Sequence, residues 1–367
     1  MKKNFFGDTK ILICIGSGGV GKTTVAASLG ILAAKQGLRV LVLTIDPAKM
    51  LATTLGIANS TEITEVPGQN YPGKVYASVI DHQKTFEEFV MRAAKKSPAA
   101  VKILQNKLFK QLSTQLSHSQ DFTSLEKLNT CAESGEFDLI ILDTPPMKHA
   151  VDFLNAPQKL AALFSEGMTK WFRDPRGEKS SLIMNLFTQG TRRVLKILEN
   201  LTGAEFVDQL TDFFQIIQSW QSELYQRTMN AQKLLMDSKT RFCLVSNFDE
   251  VKMIEAQNYA KEIKKSGFQL GYLILNRAFP SQIDLSLSAA QKDLKNPKFA
   301  AMVQKYEKIY AYYAGKEKIY AHLVQKMGQD LLCIKLADYQ SRSDLAMLEQ
   351  LADEVQGELD SQFSTSS

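Results

Sequence analysis

Six short stretches of the chain are almost continuously apolar: Ile11–Gly16, Val40–Ile45, Leu139–Asp143, Phe242–Asn247, Tyr272–Asn276 and Leu331–Leu336. Strands covered on both faces read this way, whereas a sheet with one wet face alternates apolar and polar positions. Amphipathic stretches of helical period lie between them, over Thr23–Lys35, Val251–Lys265 and Asp344–Gln356. Val75–Ile80 is a further strand candidate. Buried strands alternating with helices predict an α/β fold, a doubly wound and mostly parallel sheet between two helical layers.

Two long blocks break this rhythm. Thr85–Ser134 and Val151–Ser238 carry no strand signal, and their apolar residues recur with helical period, as in Phe86, Phe89, Val90 and Ala93, or Val194, Leu195, Ile197, Leu198 and Leu201. They are expected to form one helical subdomain, inserted around the strand that ends at Asp143, within a single domain spanning residues 1–367. A third helical block, Phe299–Met327, precedes the last strand, and the polar tail Phe363–Ser367 reads as frayed. The apolar run within Phe153–Phe172 reads as helix core, with a groove for a client helix as the functional alternative.

Composition narrows the class. Apolar residues make up 44% and charged residues 23%, which excludes a disordered chain and a fibrous repeat. No apolar run approaches the ~18 residues of a membrane span. The basic N-terminus has only Ile11–Ile15 as an apolar stretch before a glycine loop, so it reads as a strand and not a signal segment. A soluble, cytoplasmic protein is expected. The net charge of +5 is too mild to suggest a nucleic-acid partner. The four cysteines, Cys14, Cys131, Cys243 and Cys333, form no CxxC and read as small core residues.

The chemistry is concentrated after the first strand. Gly16-Ser17-Gly18-Gly19-Val20-Gly21-Lys22-Thr23 satisfies GxxxxGK[ST] between a strand and a helix, and Thr24 continues the helix. Glycines let consecutive backbone N–H groups curl around phosphate oxygens, and the positive end of the helix points at the same anion. Lys22 can bridge β- and γ-phosphate oxygens, and the Thr23 hydroxyl can ligate Mg²⁺. ATP and Mg²⁺ are thus the expected cofactors. Asp46, in TIDPAK at the end of the second strand, is placed to orient the attacking water; a turn cap is the plainer reading. Asp143 ends FDLIILD and fits a Walker-B carboxylate that holds a Mg²⁺-bound water, followed by the rigid exit Thr144-Pro145-Pro146, where a γ-phosphate sensor is expected.

GSGGVGKTT, TIDPAKML and FDLIILDTPPMKHAVDFLNAP, with RFCLVSNFDEVKMIEAQ and GYLILNRAFP further on, together resemble the ArsA family of P-loop ATPases. That family includes arsenite-pump-driving ATPases and the ATPase that targets tail-anchored membrane proteins. The resemblance implies an ATPase that dimerises across its nucleotide sites. It places switch I at Asp46, switch II at Asp143–His149 and adenine recognition on Asn276. One departure matters: the family's loop reads GKGGVGKT, with a lysine that reaches the other subunit's phosphates, and this chain has Ser17 there. The resemblance therefore implies slow turnover alone, as a homodimer or as a heterodimer with a paralogue that supplies the lysine; Lys49 and Lys148 are local candidates for the missing charge. The zinc-binding CxxC and the clustered arsenite-binding cysteines of some members are absent.

The reading that results is an ATP-hydrolysing switch that moves a helical subdomain to engage a partner or a membrane-protein client. Two alternatives stay open from the residues: a slowly hydrolysing, nucleotide-dependent scaffold, and a P-loop phosphotransferase acting on a small metabolite.

Overall fold

The computed structural model of the chain describes residues 4–45, 51, 54–57, 61–93, 120–146, 222–223, 225–278, 297–327, 331–338 and 345–364. The chain divides into two compact units. The first comprises Met1–Ile80, Cys131–Val151 and Leu235–Ser367; the second comprises Asp81–Thr130 and Asp152–Leu234. The Phe153–Phe172 stretch and most of the second helical block lie outside the described residues.

The first unit is built on eight strands: β1 (Ile11–Ile15), β2 (Arg39–Thr44), β3 (Thr64–Glu65), β4 (Lys74–Val79), β5 (Leu139–Asp143), β6 (Thr240–Asn247), β7 (Leu270–Ala278) and β8 (Leu332–Ala337). They form one sheet in the order β3-β4-β2-β5-β1-β6-β7-β8. All the described pairings are parallel except β3 with β4. The two-residue β3 is polar and escaped the apolar pattern; a single antiparallel edge strand on a parallel sheet is common. Chain order reverses around β1, which lies between β5 and β6. In open α/β sheets, ligands bind beyond the carboxyl ends of the strands at such a switch point.

Registry brings the chemistry to that edge. Asp143 is level with Cys14 on one side and with Thr44 on the other, and Asn247 is level with Asn276. Helix α1 (Lys22–Lys35) leaves the same edge, and nearly all its residues are buried. A helix apolar on every side needs cover on every side. It lies on the sheet and against the last helix, Leu345–Ser364, to which it is also tied by Lys35–Asp353 at 2.6 Å and Gln36–Gln356 at 2.7 Å. That last helix runs past the predicted end at Gln356 and through Phe363, because Val355 and Leu359 continue its buried face. Gly30 sets how closely α1 approaches the sheet: a Cβ there would stand 2.7 Å from Val42 Cγ2.

In the second unit, helix α2 (His82–Ala93) and helix α3, which starts at Gln120 and ends at Ser134 in the first unit, pack Phe89 edge-on against Phe122 at 4.9 Å. Residues 225–236 are helical. Glu126 is fully buried and is held by Arg227 at 2.6 Å and by Arg92 at 3.7 Å. A carboxylate this buried needs such cationic partners. Among the described residues, no helix is long and apolar enough to cross a membrane.

All four cysteines are buried as free thiols. The Cys14 thiol is pushed well up by its hydrogen bond with Cys243 on the neighbouring strand and by burial, and burial pushes Cys333 to about 11. Raised values deplete the thiolate, the reactive form. Alkylation of the native protein by iodoacetamide at pH 8 should therefore be at least about tenfold slower than in urea. Rapid labelling of Cys14 or Cys333 in the folded state would contradict this placement.

Candidate functional site: the phosphate loop

The loop between β1 and α1 bends where side chains do not fit. A Cβ on Gly16 would lie 2.2 Å from the Val245 carbonyl oxygen of β6. Gly21 sits in the left-handed region at φ 88°, and a Cβ on it would lie 2.3 Å from Nδ2 of Asn276 on β7. Gly18 faces Pro146: a Cβ on Gly18 would rest 3.6 Å from the proline Cβ. Gly16 and Gly21 thus allow the backbone to press against two neighbours that a Cβ would displace.

Gly21 caps α1 without any side-chain hydrogen bond. The first-turn N–H groups of Lys22, Thr23 and Thr24, which lack partners within a helix, thus face the loop's centre with the positive end of the dipole behind them. Lys22 is buried, and its Nζ donates to the Ser17 carbonyl at 2.9 Å, folding the ammonium over the loop. Val20 is fully buried, and its carbonyl accepts from Asn276 Nδ2 at 3.0 Å. Asn276 Oδ1 accepts from the Arg277 N–H at 3.0 Å.

Asp143 is the second focus. Its Oδ2 accepts from the Thr23 hydroxyl at 2.7 Å and from the Thr44 hydroxyl at 3.0 Å, with Asp143 itself only 1% exposed. The next residue is pinned as well: Thr144 donates to the Cys14 carbonyl through its hydroxyl at 2.8 Å and its N–H at 3.3 Å. A hydroxyl and a carboxylate meeting beside a phosphate loop are the hard oxygen donors that Mg²⁺ takes. The residues present therefore fit a nucleotide with its metal.

The structure brings together the loop Gly16–Thr24, Asp143, Thr144, Pro145, Pro146 and Asn276 around one strand edge. Asp46, Lys49, Lys148 and His149 lie outside the described residues. Sequence reasoning missed Thr44, whose signal was a lone hydroxyl at the end of the apolar run VLVLT, level with Asp143 only once the sheet is paired. It also missed the carbonyl of Val245, which no side-chain pattern could reveal.

Several known proteins are similar to this chain. The family model described as anion-transporting ATPase matches residues 9–326. Among curated relatives, an ATPase ASNA1 homolog of Paramecium tetraurelia is 24% identical over 80% of this chain and 82% of its own. A putative arsenical pump-driving ATPase of Aquifex aeolicus is 22% identical over 75% of this chain and 64% of its own. The ATPase GET3 of Malassezia globosa is 24% identical over 73% of this chain and 72% of its own.

The contact at Gly16 generates a sharp expectation. Gly16→Ala must move either the loop or the end of β6, and misplacing a reacting group by about 1 Å costs on the order of 10²-fold. Its kcat/KM for ATP should fall by about that factor, whereas Gly7→Ala, at a remote left-handed turn with open space around it, should leave kcat/KM near wild type. Equal kinetics for Gly16→Ala and Gly7→Ala would contradict the packing described.

Proposed function

Because the chain belongs to the anion-transporting ATPase family and hydrolyses ATP, we propose that it works as a nucleotide-driven switch which moves its helical segments to engage a protein client. The observation that carries this reading is the Thr23–Asp143 hydrogen bond of 2.7 Å. It couples the phosphate loop to the first residue of the segment Asp143–His149, and from there the chain runs on into residues 152–234 of the second unit. A change at the metal end of the nucleotide thus reaches the segment's root through one contact.

In this reading, Lys22 leaves the Ser17 carbonyl to bridge β- and γ-phosphate oxygens. Thr23 and Asp143 would hold Mg²⁺. The metal would supply charge neutralisation at the transferring phosphoryl group. Asp46 orients the attacking water. Asn276 reads adenine: its Nδ2 stays on Val20, and its Oδ1 has a second lone pair for the exocyclic amine. Thr144–Pro146, against Gly18, respond to the γ-phosphate. The client is a protein, with membrane proteins the class that the family resemblance favours. The chain acts as a homodimer or as a heterodimer with a paralogue, and Ser17 leaves each homodimer site without a cross-subunit cation. Such a supplied charge raises turnover by ~10³-fold or more in related phosphoryl transfer, so turnover of this chain alone is slow.

Three measurements test these assignments. Lys22→Ala should abolish ATP binding by calorimetry, while Asp46→Asn should keep binding and lower kcat by about 10²-fold or more; loss of binding alone in both would overturn the division of roles. ATP should bind more tightly than GTP, and equal affinities would remove the adenine role from Asn276. Turnover per chain should be low and should rise on mixing with a lysine-bearing paralogue. Fast, concentration-independent hydrolysis by a wild-type monomer would defeat the account of Ser17.

A further inference from the structure

β7 does not end as a regular strand. Leu275 is level with Lys335 of β8 and Ala278 with Ala337, so three steps along β7 match two along β8 and one residue bulges out of the ladder. The bulge falls on Asn276 and Arg277, at the strand edge beside the phosphate loop. Arg277 has φ 58° there, and among the described residues it is the one non-glycine residue with positive φ. A side chain in this left-handed region crowds the backbone, at a cost that glycine avoids and asparagine partly avoids.

The surroundings hold that backbone in place. Asn276 Oδ1 accepts from the Arg277 N–H at 3.0 Å, while Nδ2 donates to the Val20 carbonyl at 3.0 Å. The Asn276 carbonyl accepts from the Phe248 N–H at 3.1 Å, and the Ala278 carbonyl from the Asp338 N–H at 2.9 Å. Asn276 and Ala278 are buried, yet Arg277 between them is exposed. In an unbroken strand, residue 277 would share the face of Leu273 and Leu275, both fully buried. The bulge takes it out of that alternation. Among the described residues, no carboxylate pairs with its guanidinium and no ring lies beneath it. A conformation that costs free energy persists where the structure around it and a function require it. This position suits glycine, and it carries a long cation instead.

We propose that Arg277 is a base-binding residue of the nucleotide site: its guanidinium stacks on the face of the purine whose edge Asn276 reads. The proposal rests on the reading of this loop as the ATP site and deepens it. Asn276 fills the space beside Gly21, at the trailing half of the loop, and Arg277 is the next residue along the same strand edge. The phosphates have their cation in Lys22 and their donors in the loop. The base offers a flat π face, and a planar, weakly hydrated guanidinium is the cation that stacks on such faces.

The test is calorimetric binding to the full-length protein of two probes with Mg²⁺: ATP, and inorganic tripolyphosphate, which offers phosphates without a base. Thermal melts without nucleotide run beside it. Arg277→Gly should weaken ATP binding about threefold to thirtyfold, the range of a cation–π contact from exposed to desolvated, and leave tripolyphosphate binding within about twofold. Its melting temperature should equal or exceed that of the wild type, because the strained side chain is gone. Arg277→Asn, which also tolerates this backbone, should behave alike. Unchanged ATP affinity, an equal loss with tripolyphosphate, or a lower melting temperature in both variants would each overturn the proposal. Lys22→Ala separates the two readings. If it still binds ATP, the loop is not the nucleotide site; if it does not, and Arg277→Gly binds ATP normally, the role of Arg277 alone fails.

Discussion

Everything at this site depends on how tightly one backbone turn is packed. Between β1 and α1 the chain must curl so that its N–H groups converge, and it does so in contact with the ends of two neighbouring strands. The Val245 carbonyl occupies the space beside Gly16, and the Asn276 amide occupies the space beside Gly21. Neither neighbour could be there if the loop carried side chains at those points. The glycines are therefore needed for packing as much as for conformational freedom. The convergent N–H groups are held in advance of any ligand, so binding an anion costs the loop little reorganisation.

Asp143 connects this turn to the rest of the sheet. The parallel pairing of β1, β2 and β5 sets Thr44 level with it, and the hydroxyls of Thr23 and Thr44 share its Oδ2. A carboxylate this buried needs such partners. The partners come from the loop helix and the adjacent strand, so Asp143 ties the two together. Thr144, tied twice to the Cys14 carbonyl, keeps the following segment anchored at its root.

The strands of the parallel sheet were legible as continuous apolar runs, because burial on both faces leaves no alternation. The phosphate loop was legible because its chemistry is local in sequence. β3 was not, since Thr64–Glu65 pairs at an edge and needs no apolar signal. Thr44 became visible only through registry. Chemistry contiguous in sequence can be read from it, whereas chemistry assembled by pairing across the sheet waits for the fold. Asp46 and His149 lie outside the described residues, so their assignments rest on the sequence and the resemblance.

The central claim is that the loop proposed to hold ATP is braced at Gly16 and at Val20–Gly21. Hydrogen–deuterium exchange of the full chain, with and without ATP and Mg²⁺, tests it most directly. The account predicts added protection at the backbone amides of Gly16–Thr24, and smaller gains at Val245–Ser246 and Asn276 that rise with it. Calorimetric ATP binding that leaves those amides unchanged and protects another region would contradict it.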